Sequence, residues 1–438
     1  MINQVPFSKI HIRIISYLLV LIPIFLITGP FLSDLCATII SLITIFHIIK
    51  NKDYIIFNNI FVKLFFLFWL NSSVITLYHY YASNYSLETN SLSSSLTYIR
   101  FIFFAIGISK ILNDNKKIFK LLFYSISVCF LFLIVDSYFQ LIFDNNLLNF
   151  PRDESGRISS FFGDELVMGG YVVRLLFILI GLYFYLNFKE NYKKLLFATI
   201  VVLSISIIFL SGERSAILLL TLGAIILLFL IKFDIKNIIL GVGSIIIIIT
   251  MLINFDSGFK KRIIDRTLLE GGISSNQVSY LNGSKYSHFT QQINFYLTSY
   301  NIFKANYLGS GNRSFGKLCK KYRADKESVK AEFTQSCSSH SHNTYMQLLS
   351  ENGIQGFLIL VVIFFILFFV LIKQFYLRIK SKAQYSKFET LILISIFLNF
   401  FPFIQNGNFF NNWLSITYYM PIGLFLHYLS NKKTIKIQ

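Results

Sequence analysis

The chain has 438 residues, of which 55% are hydrophobic, 17% aromatic and 14% charged, with a formal net charge of +19. Those proportions exclude an ordinary soluble domain, where charged side chains make up about a quarter of the residues. No P-loop and no Asp-x-Asp pair occurs (only Asp325-x-Glu327 comes near), so neither ATP-driven chemistry nor a metal-binding nucleotide-sugar site is indicated.

Apolar runs of about 17–22 residues recur along nearly the whole length, each long enough to cross roughly 30 Å of hydrocarbon as a helix. Helices are expected because lipid offers no partner to an open backbone, and the alternation of a membrane barrel is missing. Twelve spans are predicted, near 14–32, 34–49, 58–80, 96–112, 118–142, 168–187, 195–211, 215–231, 238–255, 345–373, 388–404 and 412–429. The fold class is thus an all-α polytopic membrane protein in three parts. Residues 1–255 carry spans one to nine, 256–343 form a large trans-side loop, and 344–438 carry spans ten to twelve. The first span lacks a small-residue cleavage site, so no removed signal peptide is read there.

Charge sets the orientation. Lys9 and Arg13, Lys50 and Lys52, Lys116 and Lys117, Lys189 to Lys194, Lys232 and Lys236, and Arg378 to Lys387 mark every second connection, and Lys432 to Lys436 close the chain. By the positive-inside rule both termini face the cytoplasm. Much of the net charge is therefore topological, an anchor to anionic lipid.

Candidate chemistry gathers on the other side. Arg100, early in the fourth span, and Arg174, a turn inside the sixth, are intramembrane cations, which mark either a functional site or a buried ion pair. Between spans five and six, Arg157 precedes Phe161-Phe162-Gly163-Asp164-Glu165. Its aromatic faces suit sugar rings and its acids an acceptor hydroxyl, although a plain turn into the sixth helix also fits. Arg214 opens the eighth span with Leu218 one turn on, placed to grip a diphosphate with its planar fork or to snorkel as an anchor.

The 256–343 loop carries an excess of Lys and Arg against the positive-inside trend, which points to a solvated surface or to an anionic ligand. Within it lie His288, an aromatic stretch from Phe295 to Phe303 that reads as an amphipathic helix, and Leu308-Gly309-Ser310-Gly311 with Arg313 close behind. Cys319 and Cys337 are spaced to close a modest loop in an oxidising compartment, or else are free thiols, whereas Cys36 and Cys129 read as core.

His342 and Asn343 then stand at the mouth of the tenth span. Thr344 and Gln347 fit a capping box, which would leave His342 and Asn343 beside free N–H groups at the positive end of the helix, a place that attracts phosphate. Gly353 and Gly356 permit close approach of a neighbouring helix, and Glu351 calls for a partner.

These motifs resemble the O-antigen ligase and polymerase superfamily of bacterial membrane glycosyltransferases. The resemblance rests on His342-Asn343 followed by Gly353-x-x-Gly356, on Arg214-x-x-x-Leu218, and on Leu308-Gly309-x-Gly311. Where many members carry arginine at the start of the loop helix, this chain has Gln291, with His288 or Lys285 as substitutes. The resemblance implies a metal-independent, cofactor-free transferase of the inner membrane with a periplasmic site. Its donor would be a glycan on undecaprenyl diphosphate. Its acceptor would be lipid A-core in a ligase, or another lipid-linked oligosaccharide in a polymerase. It implies His342 acting on the acceptor hydroxyl and Arg214 on the diphosphate. Arg157, Asp164, Glu165, Arg174, His288, Arg313 and Asn343 would line the substrates. Nucleic acid has no part in this reading. A polysaccharide transporter is the competitor from another class. It would place its polar groups near the midplane of two related halves, a symmetry this sequence lacks.

Overall fold

A computed structural model describes residues 5–82, 87–232, 234–255, 260, 280–281, 284–285, 288–323, 337–382 and 384–435. In chain order the helices are α1 Lys9–Thr28, α2 Pro30–Asn51, α3 Ile60–Ala82, α4 Thr89–Leu96, α5 Ile99–Asp114, α6 Lys117–Phe143, α7 Met168–Leu186 and α8 Asn191–Leu210. They continue as α9 Arg214–Leu230, α10 Ile235–Phe255, α11 His288–Ala305, α12 Phe315–Tyr322, α13 Thr344–Ile379, α14 Lys387–Asn399 and α15 Asn412–Ile435. A two-residue antiparallel pair, Tyr280–Leu281 with Ser284–Lys285, is the β-structure among the described residues.

Local chemistry sets the helix ends. The Ser8 hydroxyl accepts from His11 N–H to cap α1, and Ser386 with Glu389 forms a reciprocal capping box on α14. Lys52 and Asn187 close α2 and α7 in the left-handed conformation.

Eight helical segments are long and apolar enough to cross a membrane: α1, α2, α3, α4 with α5 (Thr89–Asp114), α6, α7, α8 and α13. Four of the twelve expected spans, those at α9, α10, α14 and α15, fall outside that set. The ninth helix, Arg214–Leu230, has 17 residues, and α14 has 13, stopping at Asn399 where the run was expected to reach 404. The Phe401-Pro402 step ends α14 early, because the residue before proline disfavours helix. The surface fits lipid. Phe46, Phe132, Leu195, Phe229 and Phe369 are each more than half exposed, a pattern a soluble protein rarely carries.

The core joins α5 to α2 and α15, and α7 to α14. Small residues set the spacing. A Cβ at Gly423 would lie 2.7 Å from Ile108 Cβ and 2.8 Å from the Ala105 carbonyl. Arg100 resolves to the ion-pair alternative: it grips Asp34 through Nη2 at 2.9 Å and Nε at 3.2 Å, and Asn412 donates to the same carboxylate. Cys36 and Cys129 are buried free thiols.

Polar groups collect at two opposite ends. One, the histidine end, holds the 144–167 and 399–412 connections and the start of α13; the other holds the lysine-rich connections.

Candidate active site at the histidine end

The start of α13 is built by Asn343. Its Oδ1 accepts from Tyr345 N–H (3.0 Å) and Met346 N–H (3.1 Å), and its Nδ2 donates to the Pro402 carbonyl (2.7 Å) and the Ile404 carbonyl (3.3 Å). This corrects the expected Thr344–Gln347 capping box. Asn343 is the cap, and the amides read as open to phosphate are already satisfied. Gln347 is used elsewhere: its Nε2 donates to Glu351 and to Asn408, both at 3.0 Å, and its Oε1 accepts from Phe409 N–H. Glu351 thus has its partner inside the same helix, and it also accepts from Phe315 N–H at 3.3 Å.

His342 precedes the cap with a φ of 54°. Its carbonyl accepts from Asn406 N–H at 3.0 Å. Its ring lies 5.0 Å from that of Phe295 on the loop helix and 4.2 Å from that of His340. Burial, reinforced by the neighbouring His342, pulls the His340 imidazole down to about 4. His340 is therefore neutral near pH 7.

Two glycine motifs that are far apart in sequence meet directly. Gly353 has φ 66° and ψ −170°, so α13 is two helices joined across a break. A Cβ there would sit 2.3 Å from the Leu308 carbonyl carbon, and one at Gly309 would sit 2.6 Å from Gly353 N. The close approach expected for Gly353 therefore serves the Leu308-Gly309-Ser310-Gly311 turn rather than another helix. Gly311 N–H and Ser310 N–H donate to the carbonyls freed at the break, Glu351 (2.8 Å) and Ser350 (3.1 Å). Gly356, one turn on, faces Asn71 of α3. That helix supplies more of the seat. Ser72 donates to Asn312 Oδ1, Thr76 accepts from Asn312 N–H, and the His79 ring meets the Gly309 carbonyl at 2.8 Å.

A second network surrounds the arginines. Glu213, just before α9, accepts from Gly169 N–H (2.8 Å) and Gly170 N–H (3.1 Å), and so satisfies the first turn of α7 from another element. Arg157 lies 3.8 Å from the same carboxylate and donates to the Ser211 and Leu166 carbonyls, both at 2.8 Å. Burial pushes the Glu213 carboxyl up, while Arg157 and the glycine amides pull the other way. Burial likewise lowers Arg157, opposed by Glu213. Arg174 donates to the Gly170 carbonyl and, at 3.0 Å, to Asn406 Oδ1. Asn406 is also the residue that holds the His342 carbonyl, and its Nδ2 reaches Thr344 Oγ1. A chain of contacts therefore runs from Arg157 through Glu213, α7 and Arg174 to the histidine.

The other candidates are placed as follows. Arg214 is the first residue of α9 and is partly buried beside Glu213. Arg313 is exposed, with φ 59°, and its Nη2 lies 3.5 Å from the Phe410 carbonyl. Asp164 and Glu165 are exposed, and among the described residues they do not join the Arg157–Glu213 network. His288 opens α11, but its side chain and that of Lys285 lie outside the described residues. Cys319 and Cys337 form a disulfide with Cα atoms 5.4 Å apart. Among the described residues, no group of three or more His, Cys, Asp or Glu side chains could hold a metal ion.

Three site residues escaped the sequence reading: Glu213, His340 and, above all, Asn406. The 400–411 connection binds Asn343, His342, Gln347, Arg174 and Arg313 in turn. The sequence marks this connection only as a polar run, Asn406, Asn408, Asn411 and Asn412, between two apolar stretches, which does not single out Asn406.

The fold and this site define a multi-pass helical membrane protein whose paired polar groups converge at one end of the bundle. Residues 199–361, just over a third of the chain, match the family model described as O-antigen ligase, so over that stretch the chain is similar to the O-antigen ligase superfamily. The matched stretch runs from α8 through Arg214, the 256–343 segment and His342 to just beyond Gly356. No curated protein matches the chain. The family implies lipid-linked glycan substrates and a ligase- or polymerase-type activity.

Proposed function

We propose that this protein is a ligase-type glycosyltransferase that moves a glycan from undecaprenyl diphosphate to a hydroxyl of lipid A-core at the periplasmic face of the inner membrane. The observation that carries this reading is the linkage of the histidine segment to the arginine network through Asn406, within a chain whose family match spans both Arg214 and His342. In the reaction the bond between the glycan anomeric carbon and the diphosphate oxygen breaks. A bond from the acceptor oxygen to that carbon forms, and the acceptor proton passes to the His342 imidazole. Imidazole suits this because its neutral form is available near pH 7. Arg214 stabilises the charge that develops on the departing diphosphate, which a fixed guanidinium does at any relevant pH. Arg174 and Arg157 hold the ends of α7 and α9 in register for that contact. Metal does not enter this mechanism.

The test is an envelope-glycan gel of a deletion strain complemented with wild-type protein or His342→Ala. Long glycan that accumulates on undecaprenyl diphosphate and is missing from lipid A-core supports the ligase. Lipid A-core bearing one repeat unit would make the protein a polymerase instead. An unchanged ladder in the deletion strain would sink both and revive a transport role. The His342→Ala protein should insert normally yet lose roughly 10²–10⁴-fold in rate, the usual cost of removing an acid–base group.

A further inference from the structure

The opposite end of the bundle contains a cavity of about 600 Å³ between the ends of α9, α13 and α14. Three cations line it, each from a different element: Lys232 beyond α9, Arg378 in the last turn of α13 and Lys387 at the start of α14. Among the described residues no carboxylate lines it. Its other wall is apolar, with Leu230, Phe375 and Ile379.

Two other lysines at this end behave differently. Lys193 is paired with Glu190 at 2.8 Å, and Lys110 is buried against Asp53. Topological lysines of that kind need no concave seat. Here the seat is built. Arg378 donates to the Leu228 carbonyl at 3.0 Å and to that of Phe229, closing the C-terminal end of α9 against α13. Gln374, buried in α13, accepts from Gln384 N–H (3.1 Å) and Tyr385 N–H (3.2 Å) and donates to the Tyr385 carbonyl, which fixes the turn that presents Lys387. Phe229 and Ile379, 57% and 67% exposed, continue the apolar wall outward to where lipid chains would run.

We propose that this cavity is a binding site for the phosphate of an anionic glycerophospholipid, with its acyl chains against the apolar wall. One held guanidinium and two exposed ammonium groups without a carboxylate in the lining select a phosphate, and the adjoining apolar face selects an amphiphile. The site is separate from the histidine end, because α13 runs from one to the other, and it holds whichever reaction that end performs.

The experiment is native mass spectrometry of the full chain in detergent, titrated with phosphatidylglycerol or phosphatidylcholine. The expected result is a phosphatidylglycerol adduct preferred over phosphatidylcholine and weakened roughly 25-fold in the Lys232→Gln/Lys387→Gln variant, about fivefold per cation. Arg378 is left in place because it also closes α9. If millimolar inorganic phosphate binds with the same dependence on these lysines and displaces the lipid, the phosphate site stands and its source is free phosphate. Equal adducts of both lipids would overturn the proposal. So would an unchanged double variant, or an equal loss in the control Lys236→Gln/Lys382→Gln, whose charges lie outside the cavity.

Discussion

The two ends of the bundle use different cations. Outside the loop lobe with its Lys304, Lys317, Lys320 and Lys321, the histidine end relies on Arg100, Arg157, Arg174, Arg214 and Arg313; the other end carries mostly lysine, with Arg378 holding α9 to α13. The arginines are held in place. Arg100 grips a carboxylate, Arg157 donates to the Ser211 and Leu166 carbonyls, and Arg174 ties the Gly170 carbonyl of its own helix to the Asn406 side chain of another connection. Most lysines at the far end are exposed. The difference follows from the side chains. A guanidinium presents a rigid planar fork that can fix geometry between elements, whereas an ammonium is a mobile point charge suited to a lipid surface. Where elements must be held in register, as Arg378 also holds α9 to α13, the chain uses arginine; where only the sign of the charge matters, lysine suffices.

That contrast can be broken most sharply at Arg214. Arg214→Ala should lower transfer roughly 10²–10³-fold, as for loss of a charge-stabilising donor, and Arg214→Lys should recover little of it. By contrast, Lys189→Gln at the far end should leave turnover unchanged. Full recovery by lysine in a radiolabelled glycan-transfer assay would show that charge alone is needed and would remove the distinction.

Gly353→Ala probes the seat rather than the charges. A side chain at φ 66° is strained and its Cβ meets the Leu308 backbone, so about 1–3 kcal/mol from the backbone conformation alone is expected. A thermal-shift measurement in detergent should show a lower melting temperature, and activity should fall with it. An unshifted melting temperature would mean that the turn and the break are not coupled. Cys319→Ser should act more locally still. A disulfide typically contributes about 2–4 kcal/mol by restricting the unfolded chain, but here the loss should stay local to the 288–323 lobe. Faster proteolysis within 337–343 at an unchanged global melting temperature is the expected signature.

The smallest effect concerns pH. His340 titrates at about 4 in the folded protein and near its ordinary value of 6.5 when unfolded. Between those values the unfolded chain binds the extra proton, so stability is intact above about 6.5 and declines as pH falls toward 4. His340→Gln should flatten that decline in a pH series of melting curves. Identical curves for the two proteins would show that His340 stays accessible to protons.

How much of this was readable in advance varies with the physics involved. Hydropathy marked the helical runs because burial in lipid dictates their composition. It overran at α14, where Pro402 and not hydrophobicity decides the end. The aromatic stretch from Phe295 to Phe303 was legible as helix, within one that extends over His288–Ala305, while the spacing of Cys319 and Cys337 left a disulfide and free thiols both open. The cap at α13 was misassigned by one residue, because Thr344-x-x-Gln347 and Asn343 both satisfy local capping rules. Only the carbonyls of Pro402 and Ile404, which take the Asn343 amide, decide between them. Asn406 was invisible for the same reason. Its importance lies in joining Arg174 to His342, and no local pattern encodes a contact across 232 residues.

The break at Gly353 also bears on how the molecule is made. The second piece of α13, Ile354–Ile379, is 26 residues and about 39 Å long, more than a bilayer's hydrocarbon requires. It can therefore enter the membrane on its own hydropathy during synthesis. The first piece, Thr344–Asn352, buries Gln347, Ser350, Glu351 and Asn352, whose partners come from the 308–315 turn, α3 and the 400–411 connection. The last of those is made only after α14 has emerged. Biogenesis is thus expected to divide in time, with the anchor set first and the histidine end completed when the final hairpin arrives. A chain truncated before 400 should be fully inserted and wholly inactive.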